Sequence, residues 1–394
     1  MKTRTAFLII CLIILPLRAF AADAPFRIED RGFEIGLNAD AHAANSFLSI
    51  DQLLRETVVI DLDELAKGFD MNLGINAAPL YFSIDSKKGW GFGLSTNVEA
   101  AGILGISGNL LSFKEADNDK SGVSGAIFAS AGIDVFFHAG LFKVKIRPSV
   151  YYAIAYMKPD ITYNYNIDNG TGLSLSYDMR IYTAFPLDGD NYSLTAAPGF
   201  DFSFGLEYPL SKAMGFDGMP LLDFDVGLDM INIPIVSSRL NNYVQTKNKI
   251  GSDGSLGEGL DGMFLDFDPL SDLYFGEGSV NVARPFRAAV WANWRLLGNN
   301  LLTLTPSIGF SINELYLEPF SIEYGLKARL DLANLFIVTA GVSYEDRMWV
   351  NSVDLALNFR AIELDVGVDI RSQEFLKSWD GRGVGVKVGL KFGW

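Results

Sequence analysis

Cysteine is nearly absent: the 394 residues contain one, Cys11. It lies in the apolar run Ala6 to Leu17, which follows Lys2 and Arg4 and precedes Ala19-Phe20-Ala21. A short positive region, a short apolar run and small residues at the −3 and −1 positions make residues 1–21 a signal peptide. The run is too short to cross a bilayer core as a retained anchor, and Cys11 comes too early in it for lipid attachment. The mature chain then has no thiol, which excludes disulfides, thiolate-bound zinc and cysteine nucleophiles. Positive charge is also scarce. Removing Lys2, Arg4 and Arg18 takes three positive charges from a net −15 and leaves −18, so nucleic acid is not an expected partner. After the leader no uninterrupted apolar run reaches the roughly 20 residues of a helical membrane span.

What the mature chain has is alternation. Val384, Val386, Val388, Leu390, Phe392 and Trp394 share one face of a strand, opposite Gly385, Lys387, Gly389, Lys391 and Gly393. Ile362 to Ile370 alternates with Glu363, Asp365, Gly367 and Asp369, and Ile322 to Leu330 with Glu323, Gly325, Lys327 and Arg329. The same pattern places Leu222 to Met230 opposite Asp223, Asp225 and Asp229, Phe200 to Leu206 opposite Asp201 and Ser203, and Phe142 to Ile146 opposite Lys143, Lys145 and Arg147. A soluble sandwich alternates too. These segments, however, are about 10 to 14 residues long, pair a large aromatic face with one carrying charges of both signs, and put glycine on the charged face. Lipid outside and a wet interior produce that inversion.

The terminal Trp394, preceded at two-residue steps by Phe392, Leu390, Val388 and Val386, resembles the C-terminal signature of Gram-negative outer-membrane proteins. The resemblance implies export to the cell outer membrane, recognition by the barrel-assembly machinery and contact with outer-membrane lipid. The expected fold is all-β, a transmembrane antiparallel barrel. Its segments begin near residues 69, 90, 124, 142, 172, 196, 222, 286, 301, 321, 335, 348, 361 and 384, about fourteen strands, an even number that leaves both ends in the periplasm. Phe33, Ile35, Leu37 and Ala39 could add another. On this count the connections near 107–123, 157–171 and 209–221 fall on the periplasmic side, where they are too long, so the parity of the first half is open. Pro148 and Pro306 suggest bulges.

Two stretches break the pattern. In 45–68, Phe47, Ile50, Leu53 and Leu54 recur at helical spacing, with Asn45 or Ser46 as N-cap and Gly68 beyond the end. The expected domains are therefore a signal peptide (1–21), an N-terminal segment (22–68) with a short helical plug, and the barrel (69–394). A periplasmic helix, or a strand at Thr57 to Ile60, is the alternative. Residues 237–284, rich in acid and glycine, are expected to be a long extracellular loop, either a lid or plain surface. Lys143, Lys145, Arg147, Arg180, Asp201, Asp223, Asp225, Asp229, Lys327, Arg329, Asp365 and Asp369 are the candidate lumen residues, and their mixed signs allow ion pairs across the lumen.

Catalytic signals are thin. Asp117 to Gly122 opens like a calcium loop, but its twelfth position is Phe128, not an acid. His42 and His138, the only histidines, stand in no triad or metal-ligand spacing. No enzyme activity, cofactor or metal is expected. About fourteen strands, an N-terminal helical plug and an apolar-rich loop together resemble the long-chain fatty-acid transporter family of the outer membrane. That resemblance implies a hydrophobic solute taken up at the outer face and released by a lateral or lumenal route. The mature N-terminus, ADAPFRIEDRG, lacks the Asn-Pro-Ala common in that family. A porin passing small hydrophilic solutes through a charged lumen, and a structural or adhesive barrel, are the alternatives.

Overall fold

The computed structural model describes residues 32–46, 49, 52, 68–86, 89–107, 122–157, 162–168, 172–186, 193–252, 273–316, 318–359 and 361–393. Among the described residues, eighteen strands form one antiparallel sheet. They are β1 (Phe33–Asn45), β2 (Gly68–Ser86), β3 (Trp90–Ser107), β4 (Gly122–Ala139), β5 (Phe142–Met157), β6 (Thr162–Asp168), β7 (Gly172–Thr183), β8 (Gly199–Tyr208) and β9 (Asp223–Val236). The remainder are β10 (Ser238–Ser252), β11 (Leu273–Val282), β12 (Phe286–Arg295), β13 (Leu302–Ile312), β14 (Phe320–Leu332), β15 (Phe336–Glu345), β16 (Met348–Asn358), β17 (Ile362–Ser372) and β18 (Gly383–Gly393).

Pairing closes the sheet through β1, β2, β3, β4, β5, β8, β9, β12, β13 and on to β18, which returns to β1. That is a closed barrel of fourteen strands. The other four extend it. β5 pairs with β8 over 143–151 and then with β7 over 155–157. β7 pairs with β10, and β10 with β11. Three adjacent wall strands are thus each built in two pieces, β7 with β8, β9 with β10 and β11 with β12, and β6 is a hairpin partner on β7. The breaks share one height, because Gly199 faces Tyr151, Phe200 faces Val236 and Ser238 faces Val282.

The expected total is right through two compensating differences. The barrel begins at Phe33, not at 69, while the segments expected at 172 and 196 are one wall strand in two pieces. Counting from β1 turns over the first half. The C-terminal ends of β3 and β5 then lie at the end opposite the N-terminus of β1 and the C-terminus of β18, and 209–222, which carries the short helix α1 (Leu210–Ala213), lies at the same end as the β1 N-terminus and the β18 C-terminus. Nor is 237–284 one loop, since β10 and β11 occupy most of its described part. Pro148 and Pro306 stand in unshifted register, whereas shifts occur between Ala77 and Leu80, around Pro79, and between Phe200 and Asp201, opposite Pro234.

Outside, the surface is greasy: Val353, Leu355, Val366, Val368, Val386, Val388 and Phe392 are exposed, while their alternating neighbours Asp369, Glu363 and Asn358 are buried. Alternation decides this directly, because a period of two sends successive side chains to opposite faces. The chain is a membrane-spanning barrel with its charges inside. The end that holds both termini carries mostly short turns, such as 140–141, 333–335 and 359–361, which lie on the periplasmic side in such barrels. That end is rimmed by Trp90, Phe142, Trp294, Phe336 and Phe359, all exposed, as an interfacial girdle requires.

Candidate functional site: a lumen crossed by contacts

Ion pairs line the interior in tiers. Nearest the termini, Arg295 on β12 reaches Asp223 at 2.8 Å and Asp225 at 2.7 Å on β9. Lys143 meets Glu207 at 2.5 Å, Arg329 meets Asp331 at 3.4 Å, and Lys391 holds Glu363 at 2.5 Å and Asp365 at 3.0 Å. Higher up, Arg147 grips Asp134 with two bonds of 2.6 and 3.0 Å. Lys145 lies among Asp134, Glu207 and Asp229, and Asp229 accepts the Trp291 indole N–H at 2.6 Å. The Trp291 ring covers Gly227, where a Cβ would stand 2.2 Å from it. Lys327, Lys387, Asp354 and Asp369 line a small polar recess, and Asp369 also pairs with the buried Arg371.

Most of these pairs join strands that are neighbours, because antiparallel partners bring facing side chains within about 5 Å. The expected candidates therefore stand on the inner face, which for Arg180 is that face's continuation beyond the wall break, shared with Tyr182. Arg180 is exposed on β7 in the outer extension, its guanidinium 5.3 Å from the Tyr243 ring centre. Glycine on the inner face makes room for the side chain lying over it, as at Gly227.

The links that do cross the lumen involve residues the sequence pattern did not single out. Arg284, in the break between β11 and β12, reaches Asp201 on β8 at 3.0 Å and Glu99 on β3 at 3.4 Å. It also donates to Asn232 Oδ1 and lies 5.6 Å from the Tyr151 ring centre. Asn232 has φ 56°, a left-handed conformation that asparagine tolerates, and it bends β9 at the break. Its N–H donates to Ser203 Oγ and its Nδ2 to the Pro285 carbonyl, both at 3.1 Å.

The second crossing is made of backbone. Between β13 and β14 the segment 313–316 folds into the lumen. The Leu315 carbonyl accepts from Ser124 Oγ on β4 at 2.5 Å, and the Leu315 side chain joins a buried cluster with Phe128, Tyr151, Leu240 and Val282 at the wall break. Tyr316 accepts from Asn72 Nδ2 on β2 at 2.9 Å and donates to the Asp346 carbonyl at 2.9 Å. Asp346 and Arg347 are the two left-handed residues of the β15–β16 turn, which needs positive φ at both positions. The Asp346 carboxylate takes Arg287 at 3.0 Å, Glu323 shares that guanidinium at 3.1 Å, and Arg347 lies over the Tyr316 ring at 5.4 Å. Desolvation pushes the Tyr316 phenol well above its usual pKa, so the hydroxyl stays a donor. Above this segment about 730 Å³ of open space is lined by Asp70, Asn72, Ile103, Leu315, Tyr316 and Met348, among others.

The expected helical plug falls almost wholly outside the described residues. Ser49 and Gln52 cap each other there, Ser49 N–H to Gln52 Oε1 at 2.9 Å and Gln52 N–H to Ser49 Oγ at 3.2 Å, which is a capping box three residues beyond the expected N-cap. This segment joins β1 to β2 and does not precede the first strand. No group of three or more His, Cys, Asp or Glu side chains among the described residues is arranged to hold a metal ion.

No family model and no curated protein matches the chain. Solved structures do. The toluene transporter TodX of Pseudomonas putida superposes with a TM-score of 0.51 at 11% identity, covering 93% of this chain and 91% of that one. The toluene transporter TbuX of Ralstonia pickettii does so with 0.50 at 10% identity, covering 93% and 90%. The fold is that of these transporter barrels. At such identity the likeness is one of architecture, and it extends over nearly the whole chain. The contacts made by segment 313–316 are read from this chain alone.

Proposed function

We propose that the protein is a channel of the Gram-negative outer membrane for small, largely apolar molecules taken up from the outer face. The carrying observation is the crossed lumen. Its described outer part is crossed by segment 313–316 and by Arg284, and the space above mixes apolar Ile103, Leu315 and Met348 with a few hydrogen-bonding groups, as ligand sites do. A general porin needs an open aqueous path. The similarity to two toluene transporters makes aromatic hydrocarbons the first solutes to try. In this reading the solute collects above Tyr316, the segment moves aside, and the buried cluster around Leu315 and Tyr151 offers an apolar path toward the wall break or the lower lumen.

The test is transport by the refolded protein in lipid vesicles and planar bilayers. The intact protein should be electrically silent and should speed toluene uptake over that of a sugar of similar size. Replacing residues 313–316 with four glycines should open steady ionic currents. Stable large currents from the intact protein would overturn the reading in favour of a porin with a charged lumen, and silence with no hydrocarbon uptake would leave a structural barrel.

A further inference from the structure

The connection from β17 to β18 does not point into the lumen or away from the barrel. It carries a short 3-10 helix, Leu376–Asp380, that lies against the outside of the wall. The register fixes this placement. On β16, Trp349, Asn351, Val353 and Leu355 share the lipid-facing side, and on β17 Val366, Val368, Ile370 and Ser372 do. The helix covers the polar members of that side: Asn351 donates to Ser378 Oγ at 2.7 Å, and Asn351, Ser372 and Ser378 are all buried. Phe375 packs edge-on against Trp349, ring centres 4.7 Å apart, and Trp349 continues into Tyr344 and Tyr324 at 5.4 and 5.5 Å.

Having hidden two polar strand positions, the turn presents apolar side chains of its own. Leu376 is 80% exposed and Trp379 58%, and Phe375 is exposed beside them. On a loop facing water, this group would be three large apolar residues left unburied together. The apolar stripe resumes directly below it, with Val353 and Val368 exposed at 52% and 55%. On β17 the stripe from Ile362 to Ile370 covers only about 20 Å along the membrane normal, at about 3.3 Å per residue and a tilt near 40°, against an apolar band about 25 Å tall. The turn adds greasy surface where the strands stop supplying it.

We infer that residues 375–379 form a clamp on the outer-leaflet lipid, with Phe375, Leu376 and Trp379 seated at the boundary between acyl chains and head groups. The clamp lengthens the lipid-facing belt over β16 and β17 and takes the place of Asn351 and Ser372 on it. This inference depends on the membrane-spanning fold and is independent of what the barrel transports.

The cysteine-free mature sequence makes the test direct, since Cys11 belongs to the leader. Leu376→Cys carries a bimane label in phosphatidylcholine vesicles. Val366→Cys, in the belt, and Asn299→Cys, in an exposed polar turn, serve as lipid and water references, and folding of each protein is confirmed by its heat-modifiable gel mobility. Brominated acyl chains should quench the Leu376 label, most strongly with bromine near the head group, and aqueous iodide should quench it at least threefold less than the Asn299 label. Iodide quenching equal to that of Asn299 would overturn the inference by placing the turn in water. Protection from both quenchers would overturn it too, because the side chain would then be packed against protein.

Discussion

Arg284 and Glu99 are 185 positions apart in the chain and five wall strands apart around the ring, yet their side chains meet at 3.4 Å. The same guanidinium holds Asp201 at 3.0 Å, so one cation ties β3 and β8 to the break between β11 and β12. All three groups are buried. A wall with three adjacent broken strands has lost ladder bonds at that height, and this cluster, with Asn232, restores polar contacts where the ladder fails.

Arg284→Met is expected to cost about 3–5 kcal/mol, because it strands the Asp201 and Glu99 carboxylates in a buried setting. Urea unfolding from lipid vesicles measures it. The triple variant that also carries Asp201→Asn and Glu99→Gln should recover a good part of the loss; a single variant no less stable than the parent would show that water already solvates the site.

Asn232→Ala removes the Nδ2 donation to the Pro285 carbonyl and the Oδ1 acceptor for Arg284, leaves the backbone N–H donation to Ser203 Oγ, and keeps φ 56° at a residue less suited to it. A loss of about 2–4 kcal/mol is expected. Asn232→Gly, free of the conformational penalty, should lose less, and equal losses would mean that backbone strain contributes nothing there.

Segment 313–316 should respond to alkali through Tyr316. Docked, the phenol has a pKa well above the ordinary 10.0; undocked, it returns near that value. A raised pKa in the docked state means that docking is at full strength below pH 10 and weakens as pH rises past it, by up to tenfold per unit. Channel openings should therefore be flat between pH 6 and 9 and grow more frequent above 10. Tyr316→Phe should open more often at neutral pH, losing about 1–2 kcal/mol of docking, and should lack the alkaline rise. A rise that persists in Tyr316→Phe assigns it to other groups.

The two faces of the wall should tolerate charge differently. Val366→Arg, on the lipid side, is expected to cost about 2–4 kcal/mol if it lies near the bilayer midplane. Thr339→Lys, on the inner face between Arg329 and Asp354 in register, should cost about 1 kcal/mol or less. The inner face is not uniformly forgiving, however: a Cβ at Gly367 would stand 2.1 Å from Asp354 Oδ1, so Gly367→Ala should be felt despite its lack of charge. Equal tolerance at Val366 and Thr339 would deny the inversion.

Much of the wall was legible in the sequence because its signal is local. A residue's face in a strand depends only on whether its number is odd or even, so Asp223, Asp225 and Asp229 could be set inside and Val386, Val388 and Phe392 outside from the alternation alone. The lumenal ion pairs between neighbouring strands follow nearly as directly. β10 and β11 escaped notice because stretches such as Arg239-Leu240-Asn241-Asn242 and Phe275-Gly276-Glu277-Gly278 do not alternate cleanly between apolar and polar residues. Outside the bilayer both faces can meet water, and the requirement that wrote the pattern elsewhere is lifted.

The crossing of the lumen was decided by the tertiary structure. Ser124 and Leu315 are 191 positions apart and Asn72 and Tyr316 are 244 apart, and nothing in Asn313-Glu314-Leu315-Tyr316 marks it as more than a turn. Once fourteen strands close, the two ends of that segment are fixed at the rim and opposite walls come within reach, and only then can a tyrosine find an asparagine on the far side. The sequence by itself determined which side of each strand meets lipid, because that choice is made residue by residue. Which strands are neighbours, which two pieces make one strand, and what crosses the space between them depend on ring closure, which no local pattern encodes.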